Sequence, residues 1–216
     1  MFYFSNRKHF KFQGFDKNEL GERFFKIGIL FLPWAVPIGG ILLLISLLIS
    51  VFKNADQFIK DKKNYFIILV SLLMIISAIR QNIYYSNASN FTFNSEIYLG
   101  LFNWLPLFIS FWGFKYYLQS DQQRKNFALN LIIGSIPVLI SCIGQKWLGW
   151  ETPIVFLNGL IVWFQKPLYS ESGISGLFSN PNYAAFWLVT IWPFSLYFLY
   201  KSKKKLFKII NLFLVS

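Results

Sequence analysis

The sequence predicts an all-α fold: a polytopic transmembrane helical bundle of about six spans plus a truncated seventh, the first two forming a short Pro/Gly hairpin. Three observations carry this. Of 216 residues, 55% are hydrophobic and only 14% charged, against about 25% charged in a typical soluble domain. Polar residues this scarce cannot coat a soluble globule of this size. Apolar runs also recur near the roughly 20 residues that a helix needs to cross about 30 Å of hydrocarbon. Finally, Lys and Arg gather between those runs, as they do in proteins oriented by their loops. The composition excludes disorder, collagen and coiled coil. A single Cys (Cys142) and a single His (His9) exclude a disulfide framework and a Cys/His metal cluster.

Residues 1–23 are basic, polar and rich in Phe. They lack the apolar core and small-residue cleavage site of a signal peptide, and are expected to be a cytoplasmic interfacial segment. Residues 24–216 form the transmembrane domain. Its first apolar run, 24–52, would be about 43 Å long as one straight helix. Pro33, Pro37, Gly39 and Gly40 interrupt it, so it is either one kinked pass or a hairpin of two short ones.

Charge decides between them. With a hairpin and a cytoplasmic N-terminus, eighteen of the 21 Lys and Arg fall inside and three outside. A single pass splits them nearly evenly. The positive-inside rule selects the hairpin. The net charge of +12 is then a topology signal and an attraction to anionic lipid, not a nucleic-acid footprint.

Four further runs, 64–79, 97–114, 127–145 and 183–200, are expected spans. Between them lie a short outer loop, 80–96, and a long one, 146–182. Inside the long loop, 153–164 is apolar but too short to cross. It is expected to lie on the surface or re-enter, with Thr152-Pro153 as N-cap and first turn. Residues 206–216 resemble half a span, so the protein is expected to continue past Ser216.

The most specific local string runs Gly173-Ile174-Ser175-Gly176-Leu177-Phe178-Ser179-Asn180-Pro181-Asn182-Tyr183-Ala184-Ala185. Asn180 suits a helix N-cap and Pro181 its first turn. A helix starting there points a partial positive charge and backbone N–H groups at the outer surface, which suits a phosphate or pyrophosphate. The plainer alternative is a cap and nothing more.

This string, with Trp192-Pro193-Phe194 in the following span and Asn103-Trp104-Leu105-Pro106 opening an earlier one, resembles the motif of the O-antigen ligase / O-antigen polymerase superfamily. The resemblance implies an O-antigen ligase-like membrane protein of the bacterial inner membrane. It would transfer or polymerise glycan from an undecaprenyl-diphosphate carrier at the outer face. The acceptor would be lipid A-core in a ligase and a growing glycan in a polymerase. The chemistry implied is inverting, with no metal or other cofactor. Gly176, Phe178, Asn180, Pro181 and Asn182 would bind the lipid diphosphate or glycan.

The chain departs from the family in lacking an Arg a few residues before the Gly-Leu-Phe string. The outer-side bases left to take its place are Arg80, Lys146 and Lys166. The resemblance puts the family's further Arg and His beyond Ser216, so no catalytic residue is assigned. Members are about twice this length, which implies that the chain is an N-terminal half. Glu151 and Glu171 are expected to be solvated loop carboxylates. The sequons at Asn87 and Asn90 bear only on a eukaryotic host. The competing expectations are a bicarbonate-type transporter of the same superfamily and an inactive fragment.

Overall fold

The computed structural model describes residues 17–88, 95–168 and 173–201. It is almost entirely helical. Helix α1 spans Lys17–Phe31 and α2 Val36–Lys60. They run antiparallel, joined by the Leu32-Pro33-Trp34-Ala35 turn. The turn forms because Pro33 and Pro37 cannot continue the ladder, while the Ala35 N–H still donates to the Phe31 carbonyl (2.8 Å). Gly28 and Gly39 let the two backbones meet. A Cβ on Gly39 would lie 2.7 Å from the Leu32 backbone. The Ser46 hydroxyl donates to the Gly21 carbonyl across the pair (2.9 Å). The helical hairpin expected from 24–52 is therefore present, with helices longer than the apolar run. Residues 17–23, expected in an interfacial segment, form the first turns of α1. There Glu19–Arg23 and Glu22–Lys26 pair one turn apart and support a helix that has left the apolar register.

Helix α2 loses helical geometry at Asn54 (φ −113°, ψ 15°). The Asn54 side-chain amide donates to the Ser50 carbonyl (2.8 Å). Helices α3 (Tyr65–Ala88) and α4 (Ser95–Phe114) form a second pair, docked on α2 partly by the Ser50 hydroxyl donating to the Gly113 carbonyl (2.6 Å). Helix α3 continues past Arg80, so much of the expected 80–96 loop is helical. Asn87 lies in its last turn, and Asn90 outside the described residues.

Helix α5 (Asp121–Gly134) starts at a capping box in which Ser120 and Gln123 satisfy each other's backbone. Ser135 and Pro137 then break the expected 127–145 span, and α6 (Ile136–Trp147) carries it on. The break is covered. The Ser135 hydroxyl donates to the Leu131 carbonyl (2.6 Å) and accepts the Trp187 indole N–H (3.0 Å). Helix α7 spans Pro181–Lys201. Phe25, Ile29, Tyr117 and Leu131 form the main core, walled by Phe114, Phe127 and Phe194.

The 153–164 segment departs from expectation. It is a two-stranded antiparallel sheet, β1 (Ile154–Phe156) and β2 (Ile161–Trp163), in register Ile154 to Trp163, Val155 to Val162 and Phe156 to Ile161. Leu157, Asn158 and Gly159 turn the chain at φ 49°, 54° and 94°. Asn-Gly between β-branched and aromatic residues favours a hairpin, and here it outweighs the helix cap at Thr152-Pro153.

Among the described residues, four helical stretches are long and apolar enough to cross a bilayer: Val36–Phe58, Lys62–Tyr84, Asp121–Trp147 and Pro181–Lys201. This is fewer than the six expected. Helix α1 has only 15 residues. The expected seventh, 206–216, lies outside the described residues.

The bundle has two unlike ends. One gathers charge: the Lys115 ammonium pairs with Asp61 (2.6 Å), and the Gln123 amide donates to Glu22 (3.3 Å). The other gathers aromatics and prolines, where the Trp163 indole donates to the Trp34 carbonyl (3.0 Å).

Two tests follow. Gly39→Ala should destabilise the protein by about 1–3 kcal/mol, since the added methyl must push the Leu32 backbone away; thermal unfolding in detergent measures this. The Lys115 hydrogen bond, then the Lys63 backbone N–H, hold the Asp61 carboxyl below its ordinary 3.8. A depressed folded value stabilises above about pH 4 and is lost as pH falls through it. Lys115→Met should therefore flatten the acid limb of stability below pH 4.

Candidate functional site

The motif string opens helix α7 as the residue types require. The Asn180 side-chain oxygen accepts the Asn182 N–H (2.8 Å), and Pro181 holds the first helical position. The Tyr183 N–H donates to the Asn180 carbonyl (3.1 Å). This differs from the expected anion cradle. Proline has no N–H, and Asn180 takes up the next two. What the helix start offers a ligand is its partial charge and the exposed side chain of Asn182.

Upstream, the string is pinned by buried amides. Gly176 sits in left-handed backbone (φ 54°) against helix α6, where a Cβ would lie 2.7 Å from the Cys142 sulfur. Its N–H donates to the Gln145 side-chain oxygen (2.7 Å). The Gln145 side-chain N–H₂ donates to the Lys166 carbonyl and the Ser175 hydroxyl. One fully buried glutamine at the end of α6 thereby clamps both arms of the loop between α6 and α7. Between those arms run two ladder bonds, Phe164 N–H to the Leu177 carbonyl (3.1 Å) and Gln165 N–H to the Gly176 carbonyl (3.2 Å). Gln165 is itself fully buried, in left-handed backbone (φ 43°). Its N–H₂ donates to the Ser141 hydroxyl, and its side-chain oxygen has no partner.

Beside this knot lies an apolar cleft of about 370 Å³. Pro33, Trp34 and Val36 of the α1–α2 turn form one wall, Ile161 and Phe164 another. Phe178, Ser179 and Tyr183 of the motif close it. The cleft joins three segments far apart in sequence.

The structure brings Gly176, Phe178, Asn180, Pro181 and Asn182 to one place. Lys166 is joined to them through its carbonyl, with its side chain exposed. Lys146 stands near the end of α6 over the Trp147 ring (5.1 Å). Arg80 does not join them. It is exposed on α3, which packs against α4 and not against the motif. Sharing a membrane side does not imply sharing a site. Glu151 is exposed, as a loop carboxylate should be, and Glu171 lies outside the described residues. No cluster of His, Cys, Asp and Glu suited to a metal occurs among the described residues.

Sequence reasoning missed Gln145, Gln165, Ser141, Ser175 and Trp34. Two glutamines closing apolar runs were the available signal, because uncharged amides at membrane depth normally have a partner. Compared with protein-family models, curated proteins and solved structures, the chain matches none.

The knot is testable. Gln145→Leu leaves the buried Gly176 N–H and Lys166 carbonyl unpaired, and should cost about 1–3 kcal/mol per group. Gly176→Ala should be destabilising in wild type and less so in a Cys142→Ala background, which removes the sulfur. The remainder in that double-mutant cycle is the cost of left-handed backbone. Equal costs in both backgrounds would mean that Cys142 does not crowd the site.

Proposed function

We propose that this chain is an O-antigen ligase-like membrane protein that holds an undecaprenyl-diphosphate-linked glycan at the outer face of a bacterial inner membrane for transfer to an acceptor. The observation that carries the reading is the apolar cleft beside the motif helix start. An isoprenoid chain needs an apolar groove reachable from lipid. Its diphosphate needs a polar, electropositive boundary at the membrane surface. Here Pro33, Trp34, Phe178 and Tyr183 supply the first, and the α7 start with Asn182, flanked by the loop that carries Lys166, supplies the second.

In this reading the spans number six, α1 and α4 crossing with the four stretches named above, and the charged end faces the cytoplasm. The transfer is inverting: an acceptor hydroxyl attacks the anomeric carbon and the lipid diphosphate leaves. The chain's own part is to bind and orient the lipid. The buried amides Gln145 and Gln165 gather beside the motif at one end of the bundle, which favours this reading over the bicarbonate-type transporter.

The test uses the gene as it occurs in its own genome. In a strain lacking its ligase or polymerase, it should restore glycan attachment, and Asn182→Ala should reduce that attachment about tenfold, the equivalent of one strong hydrogen bond. Wild-type attachment with Asn182→Ala would remove that side chain from the site. No attachment by the unmutated gene with either acceptor would overturn the transferase reading. Orientation has its own test. With Cys142 replaced, Asn158→Cys should react with an impermeant thiol reagent from outside and Gln119→Cys should not; the reverse pattern would invert the topology.

A further inference from the structure

The charged end holds a second cleft, opposite in character to the first. Its volume is about 420 Å³, and Glu22, Asn54, Gln57, Tyr116, Gln119 and Gln123 line it. Its floor is formed by Ser50 and Tyr117, both buried. It opens where α2 abandons helical geometry at Asn54. That kink turns the Asn54 N–H₂ back onto the Ser50 carbonyl (2.8 Å). The Tyr116 hydroxyl donates to the Gln57 side-chain oxygen (3.1 Å), which aligns a phenol and an amide on one wall. The Gln123 N–H₂ donates to one Glu22 oxygen (3.3 Å), while Lys26 pairs with the other (2.6 Å).

The chemistry of this lining selects its ligand by elimination. No Lys or Arg is in it, so a phosphate or carboxylate would be buried without a countercharge. Its one carboxylate already pairs with Lys26, so a cation gains little. An apolar group would strip water from amides and phenols and give nothing back. What remains is a neutral ligand whose groups both donate and accept. Planar amides match adjacent hydroxyls with a donor and an acceptor at once, and the half-buried Tyr116 ring stands beside them in the lining.

We propose that this cleft binds a neutral polyhydroxyl group, a sugar or the glycosyl headgroup of a lipid, at the end of the bundle opposite the motif. The proposal does not rest on the transferase reading.

The experiment measures thermal unfolding and native mass spectra of the purified chain with four probes: diglucosyl diacylglycerol, diacylglycerol, methyl glucoside and phosphatidic acid. Diglucosyl diacylglycerol should be retained several-fold over diacylglycerol and phosphatidic acid. Methyl glucoside stabilising at millimolar concentration would identify the headgroup alone as sufficient. Stabilisation by the glycolipid only would identify a lipid-borne sugar. Gln57→Ala and Gln119→Ala sit on the exposed rim and spare the packed core. Each should reduce glycolipid retention about tenfold with little change in unliganded stability, whereas Lys125→Ala, outside the lining, should not. Equal retention of glycolipid and diacylglycerol, or rim variants that bind as wild type, would overturn the proposal.

Discussion

Every peptide group buried away from water must find a partner, and in this chain that constraint sets where the helices are allowed to stop. Each departure from helical geometry is covered by a side chain. Asn54 takes the Ser50 carbonyl at the α2 kink. Ser135 takes the Leu131 carbonyl between α5 and α6. The Trp34 indole returns to the Leu30 carbonyl at the hairpin turn. Gln145 takes both a donor and an acceptor from the loop between α6 and α7. Polar residues inside apolar runs therefore mark the joints of the bundle, and both clefts lie beside joints.

The two clefts follow from which residues cover the two ends. At the aromatic end Pro33, Val36, Ile161 and Phe164 line the cleft, while the amides of Gln145 and Gln165 are taken up in their own buried network, so the space between the walls is apolar. At the charged end it is turned by Asn54 and the Lys115-Tyr116-Tyr117 turn. Their spare amides and hydroxyls make the space polar. The same scaffold thus presents an oily recess at one end of the bundle and a hydrogen-bonding recess at the other.

Helices were legible because apolar runs of span length have few other uses. The α1–α2 hairpin was legible only through the Lys and Arg distribution, since the run 24–52 by itself suits one pass or two. Helix ends were less legible. Residues 17–23 and 80–88 are largely polar, yet helical; at 17–23 ion pairs one turn apart support the helix. The 154–163 hairpin was hidden by length reasoning, although Asn158-Gly159 was its local signature. The Asn180 cap was readable from sequence. The clamp by Gln145 was not, because it joins residues thirty positions apart through the packing of α6 on the loop. The distribution of bases placed Arg80 on the motif's membrane side, but helix pairing sets it on a different part of the bundle.

The loop between α6 and α7 stands out on physical grounds alone. Among the described residues, the non-glycine positions with left-handed backbone are Leu157, Asn158 and Gln165, all in that loop. Gln165 adds an unpaired oxygen at full burial, and Gly176 a left-handed turn too tight for any side chain. Left-handed backbone at a non-glycine residue and an unpaired buried oxygen each cost of order 1–3 kcal/mol and persist only where the surroundings over-determine them. A loop with only a connecting role could relax at Gln165 by admitting water or a different residue. Here Gln145, Ser141 and Ser175 hold it in one shape, and that shape forms the wall of the apolar cleft. The strain and the motif resemblance are independent observations, one of backbone geometry and one of residue order, and both fall on the same stretch of chain.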